Sequence, residues 1–162
     1  MKKTVMAKYR LANIQDVTAL AALRYRYWVE DGEDAAEVSE DKFIGAFTAR
    51  ISEAFERDEL FCWLATIDKK IVSTLYVQVV RKLPKPSKVV DQFGYATNFY
   101  TIPEQRGHGI GRMLLRKTKQ WALSVDLEFI IAWPSDDSIR LWKSEAFKEN
   151  ESVICDIRPY VN

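Results

Sequence analysis

The sequence is poor in the residues that most readily announce chemistry. It holds one histidine, His108, and two cysteines, Cys62 and Cys155, in 162 residues. A zinc site or a disulfide framework needs more of both, so no metal is expected. The two cysteines stand far apart in apolar surroundings, which predicts reduced, buried, inert thiols and a cytoplasmic protein. No charge of one sign dominates, because 24 basic and 23 acidic residues leave a net charge of +1. That balance argues against a broad basic face for nucleic acid. No apolar run approaches the ~20 residues that cross a bilayer. Met1-Lys2-Lys3 leads into a mixed polar stretch, unlike a signal peptide, so no membrane partner is expected.

What is present suits one domain over residues 1–162. Hydrophobic residues make up 48% of the chain, enough for a sizeable core. No repeat, low-complexity tract or long linker divides it. Alternation over residues 5–12 (Val5, Ala7, Tyr9, Leu11) predicts a strand. A helix follows from Asn13 or Gln15-Asp16, with Val17, Leu20, Ala21, Leu23, Arg24 and Tyr27 at helical spacing. Beyond the acidic stretch Glu30-Asp31-Gly32-Glu33-Asp34, read as a loop, Phe43, Phe47, Ile51, Ala54 and Phe55 predict a second helix. Leu60–Ile67 and Ile71–Val80 read as strands joined by a hairpin turn at Asp68-Lys69-Lys70. The basic, proline-bearing segment Arg81–Lys88 reads as a solvated loop. Gln92–Thr101 is a further strand, in which Gly94 marks a bulge or a close approach. Met113, Leu114, Leu115, Thr118, Trp121 and Ala122 form the inward face of another helix. Phe129–Trp133 is a short strand, Ser135-Asp136-Asp137 opens a last helix running to about Glu145, and Val153–Ile157 closes the chain as a strand. The fold class is α/β (α+β), a mixed sheet with packed helices in the order β-α-α-β-β-β-α-β-α-β.

The most informative stretch is Arg106-Gly107-His108-Gly109-Ile110-Gly111-Arg112, between a strand and a helix. Glycines let backbone approach a ligand, and a helix N-terminus leaves N–H groups unpaired, so the junction suits a pyrophosphate. A phosphate-binding loop of the Walker type needs Lys-Ser or Lys-Thr after the last glycine, but Arg112-Met113 follows Gly111. The dinucleotide-binding spacing of three glycines is not met either. A purely structural loop remains open, although three glycines in five residues beside two arginines exceed what a turn requires. A nucleotide-binding protein with a coincidental loop is the weakest alternative.

The stretch Asn98–Gly111 resembles the R-x-x-G-x-G/A signature of the GNAT acetyltransferases, with Arg106, Gly109 and Gly111 at its positions. The segment Ser138–Phe147 is similar to that superfamily's N-x-x-A-x-x-x-Y-x-x-x-G-F segment in a looser form. Ser138 stands near its Asn, Trp142 at its Tyr, Ala146 at its Gly, and Phe147 at its Phe. The resemblance covers nearly the whole chain and implies a GNAT-like fold with acetyl-CoA as co-substrate. It implies that backbone N–H groups of Gly107, His108, Gly109, Ile110, Gly111 and Arg112 bind the pyrophosphate, with Arg106 at the head of the loop. It implies that Phe99, Tyr100 and Thr101 pair with pantetheine through their main chain, with Ser138 and Trp142 nearby. The partner expected is a small-molecule or peptide amine, attacked directly in a ternary complex. Homodimers through C-terminal strands are common in proteins of this kind.

Acetyl transfer needs a neutral amine, a polarised carbonyl and a proton for the thiolate. Many GNAT proteins take that proton from the Tyr at the position of Trp142, and an indole N–H is not a useful acid. The catalytic candidates are therefore weak: Glu104, Ser138 and Trp142, with Ser135 and Ser144 behind them. Glu30, Asp31, Glu33 and Asp34 are candidates to attract a cationic amine or to form an exposed acidic loop. His108 more naturally faces solvent or phosphate than acts as base. Tyr25, Tyr27, Trp28, Tyr76, Tyr95 and Tyr100 are candidates for an acceptor pocket or for core. The missing Tyr leaves a second reading, an acyl-CoA-binding sensor without efficient turnover.

Overall fold

The structure, a computed structural model, describes residues 6–32, 38–150 and 152. Val5, Glu33, Asp34, Cys155 and the expected closing strand Val153–Ile157 lie outside the described residues. The elements are β1 (Lys8–Leu11), α1 (Val17–Asp31), α2 (Glu40–Glu56), β2 (Leu60–Ile67), β3 (Lys70–Arg81), β4 (Gln92–Thr101), α3 (Ile110–Ser124), β5 (Ile130–Ala132) and α4 (Ile139–Ser144). Short 3-10 turns at Ile14–Asp16 and Pro103–Gln105 precede α1 and the glycine loop. One sheet orders the strands β1-β2-β3-β4-β5. The first four run antiparallel, and β5 joins β4 in parallel after the α3 crossover.

Local signals account for most of these boundaries. Asn13 caps the turn into α1, where its side chain accepts from Gln15 N and Asp16 returns the favour to Asn13 N at 2.8 Å. Ser39 caps α2 by accepting from Lys42 N. The β2–β3 turn is made by Asp68 and Lys69, both at positive φ, the conformation that matches strand twist in a two-residue hairpin. Lys70 therefore belongs to β3 rather than to the turn. The loop after β3 is tied down by charge: Lys82 and Lys85 meet the buried Asp91 at 3.1 and 3.2 Å, and Lys82 also meets Glu128.

Three expectations need correction. α1 runs through Glu30 and Asp31, so these are helical residues, because nothing breaks the helix before Gly32 takes a left-handed C-terminal conformation. α4 starts at Ile139, since the carbonyl of Ser135 accepts the N–H of both Ser138 and Ile139 and holds residues 135–138 as a turn. Met113 is 38% exposed, one position off the inward stripe of Ile110, Leu114, Leu115, Thr118, Trp121 and Ala122.

The sheet is covered on both faces. Against one face lie α3 and α4, with Leu75, Val77, Ala96, Leu114, Leu115 and Trp142 in one continuous cluster. Against the other lie α1 and α2, with Val17, Leu20, Ile51, Cys62 and Tyr76 in a smaller one. Gly94 lets β4 approach its neighbours, as a Cβ there would stand 2.8 Å from Val77 Cγ1 and 3.1 Å from Leu127 Cδ1. The close-approach reading of Gly94 is thus the one the packing supports.

Candidate functional site

The site grows from an irregularity in β4. Thr74 pairs with Tyr100 and Tyr76 with Thr97, so Leu75 of β3 faces two residues of β4, Asn98 and Phe99. This bulge puts Asn98 at φ +48, a conformation few non-glycine residues adopt. The extra residue turns Phe99 toward α3 and α4, while Asn98 and Tyr100 line a cleft with Leu23, Arg24 and Tyr27 on the α1 side. Beyond the bulge β4 also loses its other neighbour. Its pairing with β5 ends at Ala96 and Ala132, which leaves the edge of Thr97–Thr101 facing β5 without a strand partner among the described residues.

The same end of β4 leads into the glycine loop. Gly107 and Gly109 have φ of +79 and +77, and a Cβ at either would meet nothing within 4 Å, so the loop borders open space. Gly111 does a different job: a Cβ there would lie 3.1 Å from Phe99 Cζ, so its absence lets α3 sit against β4. The first N–H of α3 to find a carbonyl is that of Met113, which donates to Gly109 O at 3.1 Å. Among the described residues the N–H groups of Gly107 through Arg112 have no protein acceptor, and no side chain caps the helix. A run of free donors at the positive end of a helix dipole suits an anion. Residues 107–112 and the strand edge at Phe99, Tyr100 and Thr101 lie at one junction.

Arg106 is placed differently. Its own N–H donates to Pro103 O, and its guanidinium turns back from the loop. Arg106 Nε donates to Thr101 O at 2.8 Å, Nη2 donates to Glu30, and the group lies 5.6 Å above the Tyr100 ring. Tyr100 is 5% exposed, stacks on Tyr27 at 4.9 Å, and donates its hydroxyl to Glu30 Oε2 at 2.6 Å. Burial first, and then the Glu30 carboxylate, push the Tyr100 phenol up to about 12. The Tyr100 hydroxyl holds the Glu30 carboxyl below the ordinary carboxylate range, with Arg106 adding to the effect. Sequence reasoning left Glu30 as a candidate to attract an amine; in the structure its carboxylate is already occupied.

The catalytic candidates fare unevenly. Glu104 is exposed and accepts from Arg26 Nη2 at 2.7 Å. Its own backbone N–H, and then Arg26, hold its carboxyl low, which makes it a poor base. Ser138 shares a turn with Ser135, with its Oγ bonded to Ser135 O at 3.1 Å. Ser144 donates to Leu141 O at 2.7 Å. Trp142 is 3% exposed, edge-on to Phe99 and Phe147, and among the described residues its Nε1 has no hydrogen-bond partner. The residue that the resemblance sets at the family's Tyr is therefore part of the packed core. His108 is exposed in the loop. Cys62 is fully buried beside Tyr76, and burial raises its thiol pKa well above the usual range, as expected of an inert cysteine. Among the described residues no group of three His, Cys, Asp or Glu is placed to hold a metal.

Two features escaped sequence reading. Arg26, one turn before Glu30, faces the glycine loop; opposite charges at i and i+4 were the available signal. Glu145, 6% exposed, closes α4 onto α3 through Arg116 at 2.9 Å and Arg112 at 3.6 Å, and no sequence pattern pointed to it.

Comparison with known proteins places the fold. No curated protein matches the sequence. A predicted acetyltransferase with acetyl-CoA from Clostridium acetobutylicum shares the fold at TM-score 0.78 and 23% identity, over 92% of this chain and 94% of that one. A GCN5-related N-acetyltransferase from Ralstonia eutropha JMP134 does so at TM-score 0.76 and 18% identity, over 94% and 99%. An aminoglycoside acetyltransferase from an uncultured soil metagenomic sample, in complex with sisomicin, does so at 0.72 and 14%, over 94% and 95%. The profile of the Acetyltransferase (GNAT) family matches residues 17–147, and the chain belongs to that family.

Proposed function

We propose that this protein is an N-acetyltransferase that moves an acetyl group from acetyl-CoA to a primary amine by direct attack in a ternary complex. One observation carries the reading. Among the described residues, the strand edge at Thr97–Thr101 is open and runs into a helix N-terminus whose donors at residues 107–112 are free. A thioester with a pyrophosphate tail fits both halves of that junction: donors and dipole for the phosphates, main chain for the amide-bearing arm. Acetyl-CoA supplies the activated acetyl group. The chain's part is to hold it by backbone contacts and to orient the carbonyl at the β4 bulge, where positioning lowers the barrier without a covalent enzyme intermediate.

Proton handling is left largely to the substrates and water. Trp142 is no acid, and Glu30 and Glu104 are held as ion-paired carboxylates. The amine therefore reaches the site neutral or loses its proton to solvent. Calorimetry with acetyl-CoA, and with CoA and ATP as comparators, tests the reading. Saturable binding of the two CoA ligands but not ATP supports it, and thiol release over an amine panel then identifies the acceptor. Folded protein that ignores acetyl-CoA overturns it.

The buried indole favours one second reading, an acyl-CoA-binding sensor with little turnover. Acetyl-CoA binding without thiol release for any amine would support the sensor.

A further inference from the structure

The C-terminal half of α1 and the segment before the glycine loop meet through a reciprocal set of charges. Arg26 and Glu30 lie one turn apart on α1, while Glu104 and Arg106 lie two residues apart ahead of Gly107. Arg26 Nη2 donates to both oxygens of Glu104 at 2.7 and 2.9 Å. Glu30 accepts from Arg106 with Oε1 and from Tyr100 with Oε2. Each element gives one cation and one anion, in the order that pairs all four. Arg106 Nε then donates to Thr101 O, so one guanidinium joins α1, the end of β4 and the residue before Gly107.

Exposed ion pairs seldom matter for stability, and three of these four side chains are 45% exposed or more. Their arrangement bears on geometry instead. Gly107 and Gly109 give the loop many backbone states, and nothing packs within 4 Å of their Cβ positions. The chain on their N-terminal side is fixed by the short turn at Pro103–Gln105, by the exposed Arg26–Glu104 pair and by what Arg106 grips. Glu30 completes that grip, since it is the acidic partner of Arg106 and the acceptor of the buried Tyr100 hydroxyl.

We infer that Glu30 is a positioning residue that, through Arg106 and Tyr100, orders the glycine loop and so sets its affinity for the phosphate end of acetyl-CoA. It touches no substrate itself. The inference rests on the proposed acetyl-CoA site for its affinity arm but not for its ordering arm. A loop already ordered loses less conformational freedom on binding, so loosening it weakens binding and spares the chemical step.

The test is a double-mutant cycle over Glu30→Gln, Arg106→Gln and the double variant, with two readouts. NMR order parameters of the backbone amides at 107–112 in the ligand-free protein read loop order. Calorimetric Kd for acetyl-CoA, with kcat and KM for any acceptor found, reads function. Glu30→Gln is expected to lower the order parameters at the loop and raise Kd about tenfold with kcat within about threefold, while the double variant is no worse than the worse single. Glu30→Asp should recover part of the loss. Unchanged order parameters at 107–112 in Glu30→Gln, or strictly additive losses in the double variant, would overturn the inference. Should wild-type protein fail to bind acetyl-CoA, the proposed function falls and the order parameters alone decide this one. A variant with a lowered Tm is judged by whether order parameters fall at 107–112 alone or throughout the sheet.

Discussion

The two faces of the sheet are built on different principles. The α3/α4 face is a continuous apolar cluster in which even the Trp142 N–H is unpaired among the described residues. The α1/α2 face has a smaller apolar centre, and toward the glycine loop it becomes polar, with Tyr27, Tyr100, Glu30 and Arg106 in contact. The difference shows where stability and chemistry are divided. One face fixes α3 against β4 by packing; the other holds the loop by directed polar contacts. Trp142 extends the apolar side to α4, where it packs edge-on against Phe99 and Phe147.

The comparison can be broken in several ways. Gly109→Trp should abolish measurable acetyl-CoA binding by calorimetry while lowering Tm only modestly, because φ +77 strains a side-chain-bearing residue but the position borders open space rather than core. Retained binding would mean the loop is not the site. Leu114→Ala, fully buried on the α3 face, should cost about 2–5 kcal/mol by denaturant unfolding. Gly94→Ala should cost about 1–3 kcal/mol, as its methyl group meets Val77 and Leu127 at clashing distance. Ala146 sits exposed at φ +67, so Ala146→Gly should stabilise by about 0.5–1 kcal/mol, seen as a small rise in Tm; a fall would show that the left-handed turn is not strained.

The polar face makes a pH prediction of both signs. The Tyr100 pKa is raised to about 12, so its contribution is complete below the ordinary tyrosine range near 10 and is lost as pH climbs toward about 12. The Glu30 carboxyl is lowered, so its contribution is complete above the ordinary carboxylate range and is lost only as pH falls below it. Between those limits Glu30 stays a carboxylate and the Tyr100 phenol stays neutral. Loop order parameters should be flat from about pH 6 to 9. A step near neutrality would point to another titrating group.

Much of this was legible in the sequence because it rests on local rules. Period-two and helical spacing gave the strands and helices, and β4 falls on Gln92–Thr101 as read. Three glycines beside a helix start gave the loop. Where sequence reasoning stumbled, competing hydrogen bonds decided: the Ser135 carbonyl delays α4, and Gly32 rather than the acidic run ends α1. The fate of single side chains was less readable. Glu30, Glu104 and Trp142 were all candidates for chemistry, and each proved engaged or buried through contacts reaching 43 to 78 residues along the chain, from Trp142 with Phe99 in the core to Arg26 with Glu104 at the surface.

The sequence by itself determined the order of the described elements and the run of free backbone donors at the glycine loop, since donors at a helix start depend only on neighbouring residues. Only the tertiary structure decided which carboxylates and which aromatic rings remain available. Ion pairing and burial are set by residues distant in the chain, and no local pattern encodes which of them will meet.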